Sequence, residues 1–138
     1  MDFEQFNTRK RASEGVPVHF HAPYEPGELL YDDDDPEKPC RAWVRGYESR
    51  EIEAYVQEMQ RRAAERREEG EPVNLVEEGS KLAAALVIRF ENINRADKPL
   101  TTSDSDLKWF FDLSRDFADQ ITKVAKDNKR FLGKTAEG

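Results

Sequence analysis

The sequence predicts an α+β fold, a small N-terminal antiparallel sheet followed by three or four α-helices, and three observations carry that expectation. Residues 16–21 and 41–45 alternate apolar with polar, as half-buried strands do. The runs that separate the strand-like segments, Pro23-Tyr24-Glu25-Pro26-Gly27 and Asp32 to Pro39, are rich in turn formers, which favours hairpins over helical crossovers. From Ile52 onward the apolar positions change to a helical period.

Met1 to Gly15 sets Phe3 and Phe6 among Asp2, Glu4, Arg9, Lys10 and Arg11, with no period long enough for a packed element. Residues 1–15 therefore read as a flexible N-terminal arm ahead of a single domain over 16–132. Three strands follow, over Val16 to His21, Glu28 to Tyr31 and Arg41 to Arg45. Ser49 is placed to cap a helix in which Ile52, Tyr55, Val56, Met59 and Ala63 form one stripe, and which runs through the charged stretch Arg61 to Glu69 to a stop at Gly70 and Pro72. A second helix carries Val76, Gly79, Leu82, Ala83, Leu86, Val87, Phe90 and Ile93 along one side, with Leu82 to Ile88 as the most apolar seven-residue window. Ser103 and Asp106 have the spacing of a capping box and open a third helix, with Leu107, Phe110, Phe111 and Ser114 on one face. After a break near Ser114 and Arg115 the period continues through Phe117, Ile121, Val124, Ala125, Asn128, Phe131 and Leu132. Gly133 ends it and leaves 133–138 as a C-terminal tail. Leu82, Leu86, Val87, Phe90, Ile121 and Val124 are the expected core.

The 138 residues suit one compact core, and 37% hydrophobic content against 37% charged, below the roughly 45–50% apolar usual in globular domains, makes that core modest and the surface heavily charged. Twenty-two Lys plus Arg against 29 Asp plus Glu leave a net charge of -7, which argues against nucleic-acid binding through a general basic field. Basic stripes at Arg61, Arg62, Arg66 and Arg67 and at Lys123, Lys126, Lys129 and Arg130 are diluted by acids, with eight Glu against five Arg over Glu48 to Glu71. No apolar run approaches the ~18 residues that span a bilayer, and Met1 to Arg11 is unlike a signal peptide, so a cytoplasmic protein without a membrane role is expected.

The residues with metal-ligating chemistry are His19, His21, Cys40 and the aspartates Asp32 to Asp35, but zinc sites pair their ligands at tighter spacing. The contiguous aspartates running into Pro36 also lack the spaced acids and glycine of a calcium loop. A single cysteine excludes an intrachain disulfide. No nucleophile sits in a Gly-x-Ser-x-Gly or Cys-Gly context, and seven scattered glycines write neither nucleotide-binding fingerprint, so the expectation is no enzyme, no cofactor and no metal. The remaining peculiarity is aromatic. Trp109, Phe110 and Phe111 are consecutive on a helix and cannot share one narrow stripe, so with Phe117 and Phe131 they are candidate partner-binding residues. Trp109 is the first choice as anchor; the other reading is a core packed on two sides, with Trp109 against the sheet.

Three stretches in order, covering roughly Val16 to Leu132, resemble the tail assembly chaperones of tailed bacteriophages: Arg41-Ala42-Trp43-Val44-Arg45-Gly46-Tyr47-Glu48-Ser49-Arg50-Glu51, then Leu82 to Phe90, then Pro99-Leu100-Thr101-Thr102 with Trp109-Phe110-Phe111-Asp112-Leu113 and the closing Lys126-Asp127-Asn128-Lys129-Arg130-Phe131-Leu132. The resemblance implies a non-enzymatic morphogenesis protein of the host cytoplasm that binds tape measure and tail tube proteins and prevents their premature aggregation. The competing expectation is a structural component of the virion, a capsid decoration or head-to-tail joining protein whose Phe3 and Phe6 arm orders on assembly. Either role implies phage tail or virion proteins as partners and is compatible with a homo-oligomer. The spacing of His19, His21 and Cys40 also makes a prediction: chelation leaves the thermal unfolding midpoint unchanged. A stoichiometric zinc signal, lost on His19→Ala, is the contrary result.

Overall fold

The computed structural model of the chain describes residues 1–70, 72 and 75–132, with Leu75 and Val76 described by backbone alone. The expected places of Val76 on its stripe, of Gly133 as a helix stop and of the tail 133–138 lie outside the described residues. The fold is α+β. Its helices are α1 (Thr8–Glu14), α2 (Arg50–Glu69), α3 (Leu75–Leu86), α4 (Asp104–Leu113) and α5 (Arg115–Lys126). Its main sheet has three antiparallel strands in the order β1 (Val16–His19), β4 (Arg41–Val44), β5 (Val87–Glu91). Two small ladders join β2 (His21–Ala22) to β3 (Glu25–Leu29) and β6 (Asn94–Arg95) to β7 (Lys98–Pro99).

The helix starts follow their caps. Ser49 is fully buried, and its hydroxyl accepts from the Ile52 N–H at 3.3 Å. Ser103 accepts from the Asp106 N–H at 3.2 Å. Ser114, with extended backbone, ends α4 and caps α5 through the Asp116 N–H at 3.2 Å, which is the break expected there. Gly70 closes α2 in the left-handed conformation.

Two expectations are corrected. The sheet is not confined to the N-terminal part of the chain, because the expected second helix stops at Leu86 and Val87–Glu91 pairs with β4. The spacing Ala83, Leu86, Val87, Phe90 that reads as helical is produced instead by a helix joined to a bulged strand. An irregularity opposite Trp43 and Val44 breaks the two-residue alternation of β5, so Val87 and Phe90, three residues apart, both face inward. The first fifteen residues also contain packed structure. Asn7 caps α1 by accepting from the Lys10 N–H, Ala12 is buried, and Thr8, Arg9 and Ser13 bond Glu48, Glu53 and Glu51. A seven-residue helix burying one alanine is too short to show a period. The expected hairpin connection is present where β2 pairs with β3, and β1 pairs with β4.

The inner face of the sheet presents Val18, Ala42 and Val44 to α5, and the core gathers around Phe20, Leu86, Ile121 and Ala125, each no more than 1% exposed. Leu86, Val87 and Ile121 are buried as expected, while Leu82, Phe90 and Val124 pack at its margin, partly buried. Beyond β4, three successive amides reach three helices: Arg45 N–H donates to Leu86 O, Gly46 N–H to Ala12 O and Tyr47 N–H to Ala125 O. Each satisfies a carbonyl near a helix C-terminus that has no partner within its own helix. A Cβ on Gly46 would lie 2.8 Å from the Phe131 ring and 3.0 Å from Ala12, so only glycine fits at that crossing. Gly15, at φ +91°, leads from α1 into β1 where a Cβ would stand 3.0 Å from Val44 O.

The β2–β3 hairpin is tied down by polar bonds. Gln120, buried on α5, accepts from His21 N–H at 3.0 Å and donates to His21 O at 3.1 Å, while Asp116 accepts from Tyr24 N–H at 3.0 Å. Leu86→Ala is expected to cost about 2–5 kcal/mol, because Leu86 is fully buried where α3 turns into β5. Denaturant unfolding of the variant measures this, and an unchanged midpoint would reassign that face.

Candidate partner-binding surface

The five aromatic candidates part company in the structure. Phe110 is the hub of a ring cluster, with centroids of Phe90, Phe117, Phe111 and Phe20 at 4.9, 5.0, 5.2 and 5.3 Å. Phe110, Phe111, Phe117 and Phe131 are all buried, so the expectation that they crowd an exposed binding face is corrected: the first three close the core on two sides, and of the four only Phe111 also lines the cleft beside α4. Phe131 belongs elsewhere, capping Gly46. Trp109 alone is half-exposed. It packs on the edge of the core beneath the Arg95 guanidinium, 5.4 Å from the ring centre, and Arg95 is held there by Asp106 at 3.1 Å.

A broad concavity lies on the other flank of α4. A cleft of about 710 Å³ runs between α3 and α4, floored by Ala84, Leu107 and Phe111. Charges of both signs rim it: Glu77 and Lys81 on α3, Asp104, Lys108 and Asp112 on α4, and Arg115 at the start of α5. Lys81 pairs with Glu77 at 3.2 Å and Lys108 with Asp112 at 2.9 Å, along their own helices, leaving the floor open. The lining residues repeat at i, i+3, i+4 and i+7 on each helix, Glu77, Ser80, Lys81, Ala84 and Asp104, Leu107, Lys108, Phe111. This second, mixed face is a period that sequence reasoning missed by following only the apolar stripe. An apolar floor between two charged helical walls is the kind of groove into which an amphipathic helix can pack. A smaller groove of about 270 Å³ between α2 and α3 is lined by Tyr55, Val56, Met59 and Leu82; of the expected α2 stripe only Ile52 is buried.

The outer face of the sheet carries a second unexpected cluster. Glu91 accepts from Arg41, from Arg89 and from the Trp43 indole N–H, and both guanidiniums lie over the Trp43 ring, at 5.7 Å and 4.7 Å from its centre. Alternation in Arg41-Ala42-Trp43-Val44 puts Arg41 and Trp43 on one face, but the partner residues on β5 were hidden by the helical reading. The Arg41 hydrogen bond above all, then those of Arg89 and Trp43, hold the Glu91 carboxyl down to about 2 against the opposing effect of partial burial.

The residues with ligating chemistry are engaged elsewhere. His19 Nε2 meets Leu30 O at 2.9 Å and His21 Nδ1 meets Ala22 O at 2.8 Å, while Cys40 Sγ donates to Asn92 O at 3.1 Å. Burial, and then the Asp32 charge, push the Cys40 thiol up, away from thiolate chemistry. The acidic run forms a tight turn in which Asp33 and Asp34 adopt positive φ. Among the described residues no group of three or more His, Cys, Asp or Glu side chains is gathered as a metal site requires, and no helix is long and apolar enough to cross a membrane.

No family model, curated protein or solved structure matches this chain significantly.

Because Glu91 is depressed in the folded chain relative to an ordinary glutamate near 4.5, its network stabilises the fold fully above that value and loses this contribution as pH falls toward about 2. Unfolding midpoints measured down this range should fall less steeply for Glu91→Gln than for the parent protein; parallel curves would show that the network does not couple to folding.

Proposed function

We propose that the protein is a non-enzymatic bacteriophage morphogenesis factor, a tail assembly chaperone that shields apolar helical stripes of tape measure and tail tube proteins in the host cytoplasm. The observation that carries this reading is the cleft between α3 and α4, whose floor of Ala84, Leu107 and Phe111 offers apolar contact and whose rim offers charges of both signs. A tape measure helix burying one stripe there would be held by its apolar anchors and oriented by the rim pairs. The resemblance of the three stretches to tail assembly chaperones supports the same role. The half-exposed Trp109 lies outside the cleft, so it serves in this reading as a neighbouring contact and not as the anchor.

The second reading, a structural virion component, draws on Phe3 and Phe6. These rings stand 73% and 43% exposed in a short 3-10 turn, 5.7 Å apart edge to face, an apolar pair that assembly would cover.

The deciding experiment measures binding of the purified chain to the co-encoded tape measure protein. Leu107→Asp places a charge on the cleft floor and should weaken association at least ~10-fold, about 1.4 kcal/mol, measured at a temperature below the variant's own unfolding midpoint, which is expected to fall because Leu107 also packs against the core. Trp109→Ala should have a smaller effect. Binding unaltered by Leu107→Asp would remove the cleft from the mechanism, and mass spectrometry showing the protein at fixed copy number in finished virions would favour the structural reading.

A further inference from the structure

The two outer edges of the main sheet differ. Phe20 N–H donates to Cys40 O, and in an antiparallel ladder bonded pairs recur at every second residue, so Val18 pairs with Ala42 and Val16 with Val44 by hydrogen bonds. Pro17 then turns its nitrogen to the outside of β1, where a missing N–H blunts that edge. By the same alternation Trp43 and Arg41 turn their backbone groups toward Arg89 and Glu91, and Phe90 turns its N–H and C=O away from β4. Among the described residues no other strand pairs with this side of β5, the β6–β7 ladder being separate, and neither proline nor lysine guards the strand.

We infer that β5 pairs antiparallel with β5 of a second copy of this chain about a two-fold axis at Phe90, joining two three-stranded sheets into one of six. The register is fixed by two independent features. Only Phe90 has both backbone groups free in the middle of the strand, so the symmetric bonded pair must be Phe90 with Phe90 of the copy. In that register Arg89 stands opposite Glu91 of the copy and Glu91 opposite its Arg89, so both cross-axis pairs join unlike charges. Centring one residue earlier would oppose Arg89 to itself. Arg89, paired with Glu91 of its own strand but with 54% of its side chain exposed, is placed to share that pairing with Glu91 of the copy.

The interface is small, so a weak dimer is expected, with sedimentation mass rising from the 16.0 kDa of one chain toward twice that value over ~10 µM to ~1 mM. Amide exchange at Phe90 should slow over the same range. Arg89→Glu sets carboxylate against carboxylate in both pairs, and Glu91→Arg sets guanidinium against guanidinium; each alone should lose at least ~10-fold in dimer affinity, and an equimolar mixture of the two should regain it. A monomer up to ~1 mM, a dimer whose Phe90 amide exchange ignores concentration, or dimerisation untouched by Arg89→Glu would each overturn the pairing.

Discussion

Three consecutive peptide N–H groups, those of Arg45, Gly46 and Tyr47, hold this fold together, because each closes the end of a different helix. Carbonyls near the ends of α1, α3 and α5 must find donors or face water, and one short segment after β4 supplies all three. That requirement fixes how far each helix runs and where it meets the sheet. It also explains why the segment contains glycine: the helices converge so closely that Phe131 and Ala12 occupy the space a side chain would need. Ser49 then turns the same segment into the start of α2, so β4, three helix ends and one helix beginning are set within nine residues, 41–49.

Local chemistry was legible in the sequence and distant pairing was not. Ser49 and Ser103 announce helix starts because a cap needs only its own hydroxyl and an amide three residues on, whereas Ser114, which reads as part of a helix face beside a break, shows itself as a cap only in the structure. Alternation in Val16 to His19 and Arg41 to Val44 shows strands for the same reason. β5 escaped because a helix end followed by a bulged strand reproduces the spacing of one long amphipathic helix, and nothing within that stretch distinguishes the two. Gln120 illustrates the other limit. A buried amide on a helix face reads as an ordinary polar position until its partner, His21, is brought to it from 99 residues away.

The candidate surface was legible in the same uneven way. A run of aromatics signals large buried area, and whether that area closes a core or greets a partner depends on how many layers cover it. Here the sheet lies over one side of Phe110 and neighbouring helices over the other, so its rings complete the interior. The rim of the cleft beside them is built from residues whose polarity gives no periodic apolar signal. Glu77, Lys81, Lys108 and Asp112 are what a solvated helix carries, and only the packing of α3 beside α4 turns them into a rim.

The attachment of the β2–β3 hairpin has a consequence for how the molecule loosens. Every residue of β3 is exposed, and the hairpin is bound to α5 largely through the amide of Gln120 and the carboxylate of Asp116. Releasing it surrenders little apolar contact from β3, whereas releasing α5 would dismantle the core. The hairpin is therefore expected to open at lower cost than α5, and its opening would uncover a polar ledge on that helix.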